Sequence, residues 1–115
     1  MKVLVIEDAP EIRDILSEML SMFGAEAVSV ATGEEGISAL SKDSFDVIFT
    51  DLRLPGIKGT ELVIELEKAA GGTPIVVITG SPQDLNENEI RDRVFRIIRK
   101  PFPLSEISRV LQALR

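Results

Sequence analysis

Three short runs in this chain, Val3 to Ile6, Val47 to Phe49 and Ile75 to Ile78, are apolar at every position. Successive side chains of a strand point to opposite faces, so a run that is apolar throughout must be covered on both sides. That calls for a sheet with helices above and below it. Two further runs are less uniform: Ala27 to Val30 alternates, as an edge strand does, and Val94 to Ile98 is interrupted by Arg96.

Helical patterns fill the intervals. Ile12, Ile15, Leu16, Met19, Leu20 and Phe23 recur at helical spacing, with Pro10 suited to a first turn and Gly24 to a C-cap. Thr32 followed by Glu35 makes a capping-box pattern ahead of Ile37 and Leu40. Leu62, Val63 and Leu66 mark a third helix stopped by Gly71 and Gly72, and Leu104, Ile107, Val110, Leu111 and Leu114 mark the last. A fourth, opening near Ser81 and Pro82, has only Leu85 and Ile90 as an apolar stripe, and Asn86 and Asn88 favour helix poorly. It is expected to be short or mobile. Five strand–helix units imply a parallel α/β sheet with right-handed crossovers and helices on both faces.

At 115 residues, with 44% hydrophobic and 28% charged side chains, the chain is expected to form one soluble domain over residues 1–115. Cysteine is absent, which excludes disulfides and thiolate chemistry and fits a reducing cytoplasm. Histidine is absent too, so carboxylates, Lys, Thr and Ser must carry any chemistry. The apolar runs fall far short of the roughly twenty residues of a spanning helix, and no charged-then-apolar leader opens the chain, so neither membrane nor export is expected. The net charge of −6 argues against a nucleic-acid surface. It is unevenly spread: residues 1–58 hold 5 basic and 11 acidic side chains, and residues 59–115 hold 8 of each.

In open α/β sheets, ligands bind beyond the carboxyl ends of the strands. Here the first strand runs into Glu7 and Asp8, the third into Asp51, the fourth into Thr79, and the fifth precedes Lys100. Taken singly, an acid in such a place is usually a helix cap or a loop charge, and a lysine is usually solvated. Taken together they imply a site. Three converging carboxylates repel, raising at least one pKa unless a cation neutralises them. With oxygen ligands only, Mg²⁺ is the natural cation and Mn²⁺ a substitute. A divalent ion beside a lysine and a hydroxyl suits a phosphoryl group, and Asp51 is a candidate nucleophile that needs no general base.

The motifs VLVIEDAPEIRDIL, DVIFTDLRLPGIKGTEL, PIVVITG and RKPF, in this order and spacing, resemble the receiver domain of two-component response regulators over essentially all 115 residues. The resemblance implies a three-layer, doubly wound (βα)5 fold of the CheY-like, flavodoxin-like kind, with a five-stranded parallel sheet of order 2-1-3-4-5. It implies that Asp51 is the phosphoacceptor, forming 4-aspartylphosphate with a phosphoryl group from a sensor histidine kinase or histidine phosphotransferase. Asp8 would bind Mg²⁺ directly, Glu7 through water, and Arg53 through its backbone carbonyl. Thr79 would be the switch hydroxyl, Lys100 the ammonium pairing with the phosphoryl group, and the Lys100–Pro101 bond cis. Such a domain is a cytoplasmic signalling module whose only catalysis is its own phosphotransfer and autodephosphorylation.

The resemblance departs at Ile97, where the family often carries Tyr or Phe, so readout along the last strand is expected to be smaller or to take another route. The segment IRDRVFRIIRK, positions 90 to 100, reads either as a solvated face or as docking for a downstream protein or a second copy, through the fourth helix, fifth strand and fifth helix. DNA binding is not expected, since no recognition helix follows Leu114. Two other readings compete: an Asp-dependent, Mg²⁺-using phosphohydrolase, which would show flanking rather than adjacent acids and a cap, and a pseudo-receiver, which would lack one of the acids, Thr or Lys.

Overall fold

The computed structural model of the chain describes residues 1–80 and 87–115. Strands and helices alternate along it: β1 (Lys2–Ile6), α1 (Pro10–Met22), β2 (Glu26–Val30), α2 (Gly33–Lys42), β3 (Val47–Asp51), α3 (Gly59–Ala70), β4 (Ile75–Thr79), α4 (Glu87–Ile90), β5 (Arg96–Arg99) and α5 (Leu104–Leu114). The strands pair in parallel in the order β2-β1-β3-β4-β5. After β1 and β2 the chain returns to the other side of β1, so strand order reverses between β1 and β3. The crevice expected of such a sheet therefore opens beyond the ends of those two strands.

The uniformly apolar runs feed two cores. Val3, Val5, Val47, Phe49, Val76 and Ile78 pack on one face against Leu16 and Leu20 of α1 and Ile107, Val110 and Leu111 of α5. Their alternates Leu4, Ile6, Ile48, Ile75 and Val77 pack on the other against Leu62, Val63 and Leu66 of α3, with Ile37 and Leu40 of α2 partly buried beside them. Burying each such side chain stabilises the fold by about 1.5–3 kcal/mol. α2 lies so close to β1 that a Cβ at Gly36 would stand 2.4 Å from Ile6 Cδ1. Any side chain there would displace α2 or Ile6, the residue immediately before Glu7.

The helix signals act as read. Pro10 opens α1, and Gly24, at φ +80°, follows its C-cap Phe23. Thr32 Oγ1 accepts from the Glu35 N–H at 3.1 Å and donates to the Glu35 carboxylate at 3.1 Å. α3 ends on Gly71 at φ +67°.

Three expectations need revision or lie elsewhere. The last strand runs Arg96–Arg99 rather than Val94 to Ile98, because its ladder with β4 spans Val76↔Arg96 to Thr79↔Arg99. Val94 instead folds against the α3-side core, and Phe95 stays 40% exposed although its N–H reaches the Ile75 carbonyl at 2.7 Å. Ile15, read as part of the buried stripe of α1, is 44% exposed, since the helix seats on the sheet through Leu16 and Leu20. The opening of the fourth helix at Ser81 and Pro82, with Leu85 and Asn86, lies outside the described residues.

Candidate functional site

The ends of four strands meet in the crevice. Glu7 directly follows β1; its N–H still bonds the Val30 carbonyl of β2 at 3.1 Å, and its own carbonyl accepts from Arg13 Nη1 at 2.8 Å. These anchors turn the side chain inward, where it is only 3% exposed. Its Oε1 accepts from the Ala9 N–H at 3.3 Å. Asp8, next in sequence, is exposed at the rim.

Asp51 ends β3 and is 6% exposed. Both of its oxygens are engaged: Oδ1 accepts from the Arg53 N–H at 3.0 Å, and Oδ2 from Lys100 Nζ at 2.9 Å. Thr79, buried, ends β4. Its carbonyl accepts from the Lys100 N–H at 2.8 Å, which ties the exit of β5 to the end of β4. The Lys100–Pro101 peptide is cis. From there the Lys100 side chain crosses the crevice, its Nζ reaching Glu7 Oε2 at 3.1 Å and Oε1 at 3.3 Å as well as Asp51. One ammonium thus bridges two buried carboxylates delivered by different strands.

One ligand oxygen from each of Glu7, Asp8 and Asp51 lies within 4.8 Å of the others. When all three are ionised, Lys100 leaves an excess of two negative charges. Burial raises the Glu7 pKa above its ordinary value and the Asp51 charge raises it further, while Lys100 pulls it back. Lys100 shows the converse balance. Burial acts to lower its pKa, but the hydrogen bond and charge of Asp51, then those of Glu7, outweigh this and leave it raised. A set of carboxylate oxygens, two charges short of neutrality and open at the Asp8 rim, fits a hard divalent cation.

Of the metal, phosphoacceptor and switch candidates, Glu7, Asp8, Asp51, Thr79 and Lys100 stand at this crevice, whereas the Arg53 side chain is exposed. Arg53 contributes there through its backbone, by the bond to Asp51. Two features were not foreseen. Arg13 braces the Glu7 backbone, and its signal was available, since it is the one base on α1 and lies within a turn and a half of the acid pair. The contact of Lys100 with Glu7, 93 residues apart, had no local signal.

A family model described as "Response regulator receiver domain" matches residues 3–112. The chain is 30% identical over 119 residues to the C4-dicarboxylate transport transcriptional regulatory protein DctD of Pseudomonas aeruginosa, covering 99% of this chain and 26% of that protein. It spans about a quarter of DctD and less than half of TcrA of Mycobacterium tuberculosis. Among solved structures it is similar to a CheY-like receiver domain from Methylobacillus flagellatus, with TM-score 0.92 and 26% identity over 100% of this chain and 98% of that one. It is also similar to the receiver domain of a Pseudomonas aeruginosa sensor histidine kinase, with TM-score 0.85 and 25% identity over 98% and 95% of the two chains. That structure has a magnesium ion coordinated in its active site cleft.

Proposed function

The chain belongs to the response regulator receiver domain family, and from that membership we propose that residues 1–115 form one receiver unit that takes a phosphoryl group on Asp51 and switches a protein-binding surface. The observation that carries this reading is the bridge from Lys100 to both Asp51 and Glu7, with Asp8 alongside, at the carboxyl ends of the central strands.

The Asp51 carboxylate attacks the phosphorus of a phosphohistidine on a kinase or phosphotransferase. A P–O bond forms and the P–N bond breaks, its electron pair returning to the imidazole nitrogen. Arg53 N–H and Lys100 Nζ orient the carboxylate beforehand, each using one lone pair of its oxygen and leaving another for attack. Asp8, Asp51, the Arg53 carbonyl and, through water, Glu7 would hold Mg²⁺, for which Mn²⁺ would substitute. The magnesium ion in the related kinase receiver supports this assignment. When bound, such an ion supplies positive charge toward the phosphoryl oxygens.

After transfer, Lys100 exchanges its hydrogen bond with Asp51 for one to the phosphoryl group, and the Thr79 hydroxyl donates to another oxygen. Inverting a population from 1:99 to 99:1 takes roughly 5.5 kcal/mol, of which the new Thr79 bond would supply about 1.5–3 kcal/mol and the added phosphoryl charge facing Lys100 a further part. Ile97 is half-buried against the same core as Ile90 and Val94. The change at Thr79 therefore passes along β5 by aliphatic packing, toward a docking face formed by α4, β5 and α5 for a downstream protein or a second copy. The domain acts catalytically only on its own phosphate. No described helix is long and apolar enough to cross a membrane, and a chain without cysteine suits the cytoplasm.

Intact-mass spectrometry after incubation with Mg²⁺ and a small phosphodonor tests the reading. One phosphate is expected on the wild type and none on Asp51→Asn; a phosphate on both proteins, or on neither, contradicts it.

A further inference from the structure

Among the described residues the exposed large apolar side chains fall in two places: Ile15 (44%) and Met22 (69%) on α1, and Phe95 (40%) just before β5. The charges around them have opposite sign. On α1, Glu11, Ile15, Glu18 and Met22 succeed one another at intervals of four, three and four residues, hence on one helical face. Glu11, Asp14 and Glu18 are exposed, while Arg13 is turned back onto the Glu7 carbonyl. Along β5 a groove is lined by Arg91, Val94, Phe95, Arg96, Ile97 and Arg99. The Arg96 guanidinium lies over the Phe95 ring, 5.6 Å from its centre. Of the five bases at positions 90–100, Lys100 is engaged by Glu7 and Asp51 and Arg93 pairs with Glu67 at 2.8 Å, while Arg91, Arg96 and Arg99 line the groove.

We propose that the acidic, apolar face of α1 docks into the β5 groove of a second copy of this chain, head to tail. Ile15 and Met22 would cover Phe95 and Ile97, with Glu11, Asp14 and Glu18 facing the arginines. This rests on the reading of the β5 side as a docking face and names what occupies it. Because the two patches differ, the contact repeats from chain to chain rather than closing on itself as a symmetric pair. A contact held by exposed charges of opposite sign is sensitive to salt.

Sedimentation velocity of the unphosphorylated chain, at rising concentration and low salt, tests this. The mean mass should climb past two copies and fall back toward one in roughly 0.5 M salt, where the screening length has shortened to about 4 Å. Glu18→Lys and Arg96→Ala should each associate at least about tenfold more weakly than the wild type. Mixed, they should form a one-to-one dimer that grows no further, because the mixture retains one intact α1 face and one intact groove. A wild type that stays monomeric throughout overturns the proposal and leaves the phosphoacceptor reading of Asp51 untouched. Loss of association in Arg96→Ala with none in Glu18→Lys also overturns it, while keeping β5 as a docking face that is occupied symmetrically.

Discussion

At the amino end of the sheet, Lys2 pairs with Asp43 and lies over the Phe45 ring, 5.3 Å from its centre, while its backbone N–H donates to Asp46 at 2.6 Å. At the carboxyl end, Lys100 bridges Glu7 and Asp51 beside Asp8. In the first place the acids are exposed and each has a donor of its own. The hydrogen bond to Asp43 holds the Lys2 pKa above its ordinary value, and the same bond, with the Ser44 N–H, holds Asp43 below its own. In the second, Glu7 and Asp51 are buried and share one ammonium, with Asp8 exposed beside them. The same side-chain types thus make a satisfied surface pair at one end and a buried cluster with excess negative charge at the other. Burial and imbalance, rather than the presence of charge, distinguish a site from a surface.

The largest effect that would break this contrast is removal of the shared cation. Lys100→Met leaves Glu7 and Asp51 without their common donor, and breaking a buried pair of this kind costs about 3 kcal/mol. In metal-free protein the melting midpoint should drop by on the order of 10 °C, read by circular dichroism. A midpoint unchanged within a degree or so would mean that the bridge adds nothing to stability.

A smaller effect concerns pH. The folded protein holds a proton on Glu7 more tightly than the unfolded chain does, so the stability this contributes is present at low pH. It is lost as pH rises from the ordinary glutamate value of 4.5 through the raised value in the folded state. Without divalent cations, the midpoint of the wild type should decline across that window relative to Glu7→Gln, which has no proton to lose. Parallel curves for the two proteins would remove Glu7 as the strained member. The smallest effect belongs to the amino end: Lys2→Met should leave the midpoint nearly where it was and phosphate uptake unchanged, as exposed pairs contribute little.

How far these two ends were legible in sequence follows from the range of the interactions. Strand identity came from runs such as IVVI, where every position is apolar, because that pattern is local and has one structural meaning. The caps at Thr32 and Gly71 were equally local. β5 starts two residues later than its apolar run suggests, because Val94 and Phe95 suit a strand by propensity, whereas the ladder is set by register with β4. Helical spacing groups Ile15 with the buried stripe because it shows which residues share a flank but not how wide a strip the sheet covers. The convergence of Glu7, Asp8, Asp51, Thr79 and Lys100 was inferable, since a parallel sheet brings all its strand ends to one edge. The double grip of Lys100 was not, because it depends on the path of a single side chain across the crevice.

The central claim, that the carboxyl end is a pocket completed by one doubly charged ion, is tested most directly by calorimetric titration of Mg²⁺ into wild type, Asp8→Asn and Asp51→Asn. One ion should bind per wild-type chain, with affinity at least about tenfold lower in each variant, as for lost metal ligands. Undiminished binding in both variants, or none in the wild type, would contradict it.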